Sequence, residues 1–162
     1  MGVFEASICG VLAPVYTASE FKPDISRPPD DSIAMTTFKS AAPVFAVADV
    51  AATARWYQQH LGFDFHHFPD REPWEWAGMW RDSVEIMLQR VENYQKPDLS
   101  RVRPGGVWDA YIRVRDVRAL YDTARQKASI QRTPCPMPYG ELEFELRDPN
   151  GYVLVFAERI EE

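Results

Sequence analysis

The fold is decided by the stretch FELRDPNGYVLVFAE, residues 144–158. Two strand-like stretches, Leu142–Leu146 and Tyr152–Glu158, flank the four residues DPNG at 148–151. Pro, Asn and Gly are typical turn residues, and Gly151 supplies the positive φ that a tight connection between strands requires. The stretch therefore predicts a β-hairpin.

The hairpin closes a longer pattern in the second half of the chain. Val107–Val114 has the composition of a strand, and Asp116 is a favourable N-cap for the helix that follows. Gln131–Pro136 predicts one more strand before the hairpin. The apolar positions of the helix recur at helical spacing and are Val117, Leu120, Tyr121, Ala124 and Ala128.

The first half of the chain repeats this order of elements. A strand at Ala42–Val47 leads to Asp49, again a helix N-cap, and the helical pattern ends at Gly62. Asp49 and Asp116 stand 67 positions apart. Three further strands are predicted at Phe63–Phe68, Trp74–Trp80 and Val84–Val91. We predict an α+β domain of two tandem βαβββ modules, at about 42–91 and 106–160, and the alternative is a generic α+β domain with an accidental similarity.

Residues 1–37 differ from this body. They carry Pro14, Pro23, Pro28 and Pro29 and show no helical or strand periodicity. We predict a weakly ordered N-terminal extension at 1–37 and a domain at 38–162. Two explanations stay open, a natural start at Met35 or an arm that lies on a neighbouring subunit.

Composition excludes several classes of protein. The chain has 162 residues, 46% of them hydrophobic, and a net charge of −6. This acidic balance argues against a nucleic-acid partner, because nucleic-acid binding requires clustered Lys and Arg. No apolar run is long enough to span a membrane. The two cysteines, Cys9 and Cys135, stand far apart, so we expect no disulfide scaffold, no structural zinc site and a cytoplasmic location.

Three motifs carry a resemblance to a known family. They are PVFAVADV at 43–50, WYQQHLGF at 56–63 and the hairpin at 144–158. The body resembles the vicinal-oxygen-chelate superfamily of glyoxalases, extradiol dioxygenases and bleomycin-resistance proteins. SAAPV at 40–44, Arg81-Asp82 and PYG at 138–140 are most similar to the bleomycin-resistance branch. The resemblance implies a cup-shaped mixed sheet that holds one ligand.

The resemblance also implies four positions for a metal ion in the catalytic members. On this chain they fall at Ala42, Glu85, Asp109 and Val155. Alkyl side chains at Ala42 and Val155 cannot ligate a metal, and two carboxylates alone would hold one weakly. We therefore expect no metal and no other cofactor, with Glu85 and Asp109 as weak candidates if a divalent ion is bound.

Strand alternation predicts which side chains line the cup. It places Met87 and Gln89 beside Glu85, Tyr111 and Arg113 beside Asp109, and Trp74, Trp76 and Trp80 together on the third strand. We predict a ligand-binding set of Glu85, Met87, Gln89, Asp109, Tyr111, Arg113, Trp76 and Trp80. Aromatic faces and carboxylates in one cup suit a flat ligand with a cationic group.

Three functions are compatible with this pattern. The first is a metal-independent binding protein of the antibiotic-resistance kind, a homodimer that sequesters a drug-like or metabolite ligand in a cup at its interface. The alternative is a metal-dependent glyoxalase-type lyase or a dioxygenase. The third is a module with no ligand, whose cup is filled by its own aromatic side chains. No catalytic residue is predicted.

Overall fold

A computed structural model describes residues 37–99, 102–103 and 107–160. The extension predicted at 1–37 lies, except for its last residue, outside the described residues. The elements in chain order are β1 (Val44–Val47), α1 (Val50–Leu61), β2 (Asp64–Phe68), β3 (Trp76–Arg81), β4 (Val84–Arg90), β5 (Ala110–Arg113), α2 (Val117–Ala124), β6 (Ser129–Pro136), β7 (Glu141–Arg147) and β8 (Val153–Arg159).

The two halves of the chain form two sheets with the same topology. The strand order is β1-β4-β3-β2 in the first sheet and β5-β8-β7-β6 in the second. The first strand of each half pairs in parallel with the last, and the other pairs are antiparallel. The predicted α+β class and the tandem βαβββ repeat are therefore confirmed. We call residues 42–91 module 1 and residues 107–160 module 2.

The helix caps follow from single residues. Asp49 accepts a hydrogen bond from the Ala52 amide at 2.8 Å, and Asp116 accepts one from the Ala119 amide at 3.1 Å. These side chains satisfy amide groups that have no partner within the helix. Gly62 ends α1 with φ +67°, a conformation that costs glycine little.

Each helix covers one face of its own sheet. In module 1, Phe45, Val47, Met79, Ile86 and Leu88 are buried in the core. They occupy every second position of their strands, and α1 supplies the remaining apolar side chains from its buried stripe. The opposite face of each sheet, away from the helix, is called its open face below.

Several predicted boundaries are wrong. β1 begins at Val44 rather than Ala42, β5 at Ala110 rather than Val107, and α2 ends at Ala124 rather than Ala128. Trp74 lies outside β3, because Glu75 donates its amide to Phe68 and the regular ladder begins only at Trp76. The alternation that grouped Trp74 with Trp76 and Trp80 therefore fails for Trp74.

Side chains from module 1 bind the β7–β8 turn and the residue after it. The Tyr57 hydroxyl donates to Asp148 Oδ2 at 3.2 Å, and Asn150 Nδ2 donates to Thr53 Oγ1 at 3.0 Å. The ring of Tyr152 stacks on Phe45 with 4.0 Å between centroids. These contacts fix the two modules side by side.

The structure also bears on the cysteines and on membrane-spanning segments. Cys135 is buried and disulfide-bonded, whereas the sequence predicted no disulfide scaffold. Within the part of the chain that the structure describes, no helix has the length and apolar character of a membrane span.

Candidate functional site

The open face of module 1 is lined with aromatic side chains. Trp76 and Trp80 lie at two ladder positions of β3 that flank Gly78, and Gly78 is paired with His66 of β2. The His66 ring lies 5.0 Å from Trp76 and 5.2 Å from Trp80 between centroids. Trp80 is 40% exposed and Phe68, at the end of β2, is 66% exposed. The face therefore presents a continuous aromatic surface to solvent, which we call the aromatic platform (Trp76, Trp80, His66 and Phe68).

Gly78 determines how the platform packs. A Cβ atom at this position would lie 2.8 Å from Cη2 of Trp76 and 3.0 Å from Cε1 of His66. Both distances are shorter than a van der Waals contact, so the absence of a side chain lets both rings lie over the strand. Residue type at one position thus sets the geometry of two rings.

Polar and sulfur-containing side chains border the platform on β4. Glu85 is paired with Trp80, Met87 with Gly78 and Gln89 with Trp76 across the β3–β4 ladder. All three share the open face, as the alternation predicted. The Glu85 carboxylate is half-buried and makes no hydrogen bond or ion pair with another described residue, so its oxygens are available to a ligand.

The expected site residue Asp109 is already paired. Its Oδ2 accepts the Val153 amide at 2.8 Å and lies 3.1 Å from Nζ of Lys96. Both side chains are largely buried, with 16% of Asp109 and 9% of Lys96 exposed. Asp109 therefore has a structural role that competes with contact to a ligand.

The open face of module 2 holds a row of buried carboxylates on β7. Phe144 and Phe156 stack in the core at 5.1 Å, so the residues that alternate with Phe144 point away from the helix. These residues are Glu141, Glu143 and Glu145, and each is less than a tenth exposed. Carboxylates are rarely buried without partners, so their contacts decide whether the row is stable.

Glu143 is the centre of that row. Its Oε1 accepts hydrogen bonds from the hydroxyls of Tyr111 at 2.6 Å and Tyr139 at 2.7 Å. Its Oε2 lies 3.0 Å from Nη2 of Arg132, and the same nitrogen lies 3.0 Å from Oε1 of Glu145. Burial, followed by the hydrogen bond to Glu143, raises the pKa of both tyrosines, since each phenolate would lose solvent and face a carboxylate.

Glu141 is incompletely satisfied. Its Oε1 lies 3.8 Å from Nε of Arg113 and 4.0 Å from Nη1 of Arg159, distances that give charge attraction without a close hydrogen bond. Its Oε2 is buried and has no hydrogen-bond partner. A buried oxygen without a donor is costly, so Glu141 lowers the stability of this row.

The structure brings the predicted site residues onto two separate faces. Glu85, Met87, Gln89, Trp76 and Trp80 lie on the open face of module 1. Tyr111 and Arg113 lie on the open face of module 2, where Arg113 is 74% exposed and lies over the Tyr111 ring.

Sequence reasoning missed the side chains that complete both faces. The residues are His66, Arg132, Tyr139, Glu141, Glu143 and Glu145. The pairing of His66 with Gly78 could not be predicted from the sequence. Strand alternation does place His66 and His67 on opposite faces. His67 stacks on Trp74 at 3.6 Å, on the helix side.

The four positions that the resemblance implies for a metal differ in chemistry and in contacts. Val155 is fully buried on the open face beside Tyr111, and its isopropyl group cannot ligate. Asp109 accepts a hydrogen bond from the Val153 amide and forms an ion pair with Lys96. Within residues 37–99, 102–103 and 107–160, no three His, Cys, Asp or Glu side chains are grouped so that they could hold a metal ion.

Comparison with protein families and curated proteins gives two results. A family model described as Glyoxalase/Bleomycin resistance protein/Dioxygenase superfamily matches residues 37–156. The match spans both modules and excludes most of the N-terminal segment. A search of curated proteins found no match.

Solved structures with the same fold are similar to the chain at low identity. One is a bleomycin-binding protein from Streptomyces verticillus, complexed with copper(II)-bleomycin, which is 27% identical to this chain with a TM-score of 0.56. The matched region covers 79% of this chain and 100% of that protein. A glyoxalase-related enzyme from Clostridium phytofermentans is 15% identical with a TM-score of 0.62, and the matched region covers 78% of this chain and 98% of that enzyme. A bleomycin resistance determinant encoded on the transposon Tn5 is 19% identical with a TM-score of 0.57, and the matched region covers 75% of this chain and 98% of that protein.

Proposed function

Because the chain belongs to the Glyoxalase/Bleomycin resistance protein/Dioxygenase superfamily, we propose that it is a small-molecule binding protein that uses the open faces of its two modules. Its ligand is a flat aromatic molecule with a cationic group, held without a metal ion. The observation that carries this proposal is the aromatic platform, which is solvent-accessible and ordered around Gly78.

The platform supplies the apolar part of the binding energy. An aromatic ligand that stacks on Trp80 and Trp76 removes ring surface from water and gains favourable ring–ring contact. A cationic group near the same rings gains a further cation–π attraction. The exposed ring of Trp80, 40% accessible, provides this surface without any rearrangement of the core.

Glu85 supplies the charge that selects a cation. It lies across the ladder from Trp80 and has no other partner among the described residues. A ligand that stacks on Trp80 therefore places a cationic substituent next to an available carboxylate. A charge-assisted hydrogen bond to a half-buried carboxylate is stronger than one between neutral groups.

A relative with a known ligand supports this chemistry. The protein from Streptomyces verticillus was solved with copper(II)-bleomycin bound, and 27% of aligned positions are identical. We propose a bleomycin-like ligand for this chain, and drug sequestration of the antibiotic-resistance kind as its role. Binding of this kind lowers the free ligand concentration in proportion to the amount of protein and requires no catalytic step.

We propose that the protein is a homodimer in which a second copy covers the open faces. β1 and β2 are the edge strands of the first sheet, and edge strands with exposed apolar side chains favour association. Val44 on β1 is 54% exposed and Phe68 on β2 is 66% exposed. A partner that buries these side chains would enclose a ligand between two chains.

The test is a calorimetric titration of the full chain, dialysed against EDTA, with metal-free bleomycin. We expect binding of one ligand per chain, with an affinity that does not change when EDTA is present. Trp80→Ala should weaken binding by about tenfold, through the loss of about 1.4 kcal/mol of stacking. Trp56→Phe, on the helix side, is the control and should bind as the wild type does. Absence of binding, or binding that requires an added divalent ion, contradicts the proposal.

A further inference from the structure

A cavity lies between the two modules, on the side of the helices. Its volume is ≈ 580 Å³. Ligand pockets in proteins are typically about 300–1,000 Å³ and mostly apolar, so this cavity has the size of a small-molecule site. Its apolar lining comes from both modules and includes Leu61, Phe63, Val84, Ile112, Leu120 and Phe156.

The internal repeat explains why the cavity is open. In module 1, Thr53 and Tyr57 on α1 reach across to the β7–β8 turn and form hydrogen bonds with Asn150 and Asp148. The residues 67 positions later on α2 are Leu120 and Ala124. Ala124 is too short to make the contact that Tyr57 makes. The β3–β4 turn, the counterpart of the β7–β8 turn, is therefore separated from α2 by empty space.

The lining is positively charged, although the protein is acidic. Arg81, Arg113 and Arg115 line the cavity against one carboxylate, Asp82, whereas the whole chain carries −6. Arg113 extends toward Glu141. Arg81 donates from Nη1 to the Leu61 carbonyl at 2.7 Å, and its Nε lies 4.0 Å from Oδ2 of Asp82. Arg115 is exposed and makes no hydrogen bond or ion pair with a described residue. Its guanidinium is therefore available to an anion at the cavity mouth.

We propose that this cavity is a second binding site, for a small amphipathic anion that consists of an aromatic or branched apolar body and one sulfonate or carboxylate group. The apolar body lies against Leu120, Val84 and Phe156, and the anionic group meets Arg115 and Nη2 of Arg81. A local cationic rim on an acidic protein selects anions, because the rest of the surface repels them. The site is distinct from the proposed cation site, since neither Glu85 nor the aromatic platform lines this cavity.

The test is a fluorescence titration of the full chain with 8-anilinonaphthalene-1-sulfonate, an apolar ring system with one sulfonate. We expect one probe per chain at this site, and Arg115→Gln should weaken its binding by about fivefold to tenfold. Arg118→Gln removes a nearby exposed arginine that does not line the cavity, and this control should leave the affinity unchanged. The uncharged probe N-phenyl-1-naphthylamine should bind more weakly than the sulfonate and show no difference between the two variants.

Two more variants locate the probe. Val84→Phe fills the cavity from β4 and should abolish the binding, whereas Trp80→Ala on the open face should not alter it. Equal affinities for the Arg115→Gln and Arg118→Gln proteins would overturn the proposal, even if Val84→Phe fails to fold. Loss of probe binding in Trp80→Ala would overturn it as well, because the probe would then be bound at the aromatic platform.

Discussion

The Tyr57 hydroxyl donates a hydrogen bond to Asp148 across 3.2 Å, and thereby joins α1 to the β7–β8 turn 91 residues later in the chain. Both side chains are buried. Tyr57→Phe removes the donor and leaves the Asp148 carboxylate with one hydrogen bond fewer. We expect the free energy of unfolding to fall by about 1–2 kcal/mol, measured by urea denaturation. Tyr121→Phe, on α2, is the control and should change stability by less than about 0.5 kcal/mol.

Burial at Asp148 predicts how stability depends on pH. Desolvation raises the pKa of this carboxyl, and the hydrogen bonds from Tyr152, Asn150 and Tyr57 offset it only in part. The folded protein therefore binds this proton more tightly than the unfolded chain does, so the contribution of Asp148 to stability is greatest below its unfolded pKa and is lost as pH rises through its folded pKa.

Asp148→Asn tests this dependence because an amide cannot ionise. The unfolding free energy of the wild type minus that of the variant should decrease as pH rises from about 3 to about 7, measured in urea at a series of pH values. Asp122→Asn, on the exposed surface of α2, is the matched control. A difference that grows with pH would mean that the folded pKa is lowered, contrary to this account.

Glu85 and Asp109, the two carboxylates that the sequence predicted at the ligand site, should respond differently to substitution. Glu85 has no partner among the described residues, so Glu85→Gln should lower bleomycin affinity by about fivefold to tenfold with little change in stability. Asp109 is paired with buried Lys96, so Asp109→Asn should lower the unfolding free energy by about 1–3 kcal/mol and change affinity little. Calorimetry and urea denaturation on the same two proteins make the comparison. The reverse pattern would remove Glu85 from the proposed site.

Glu143 should control the titration of two tyrosines. Its hydrogen bonds and charge add to burial in raising the pKa of Tyr111 and of Tyr139. Glu143→Gln should therefore lower both pKa values, which stay above 10 because the desolvation remains. Phenolate absorbance against pH measures the change, and Glu75→Gln, an exposed carboxylate beside Arg90, serves as the control. Identical titration curves for the two variants would show that Glu143 does not govern these hydroxyls.

Much of the fold could be predicted because its determinants are local. Asp49 and Asp116 cap helices through their own side chains, and Gly151 has φ +93° in the predicted turn. The alternation along β4 placed Glu85, Met87 and Gln89 together correctly, since all three lie within one regular ladder. The same rule failed at Trp74, which precedes the ladder and packs on His67 instead.

The polar half of the site could not be predicted, because its determinants are distant in sequence. Glu141, Glu143 and Glu145 alternate with apolar residues, and that pattern normally indicates a sheet face in contact with water. Their burial depends on Arg132, which contributes from the neighbouring strand, and on hydroxyls from Tyr111 and Tyr139. Likewise, the cavity beside Arg115 lies next to α2, where Leu120 and Ala124 occupy the positions that Thr53 and Tyr57 occupy on α1.

The central claim, that a small ligand binds on the open faces, is tested most directly by the indole N–H resonances of the five tryptophans. Trp76 and Trp80 belong to the aromatic platform, and Trp108 donates to Glu145 on the open face of module 2 at 2.9 Å. Trp56 and Trp74 contact α1 or lie within it, on the helix side. In a titration with metal-free bleomycin in EDTA, Trp76 and Trp80 should shift most, Trp108 should shift in a complex that uses both faces, and Trp56 and Trp74 should stay unchanged. Shifts confined to Trp56 and Trp74, or no shift at saturating ligand, would contradict the account.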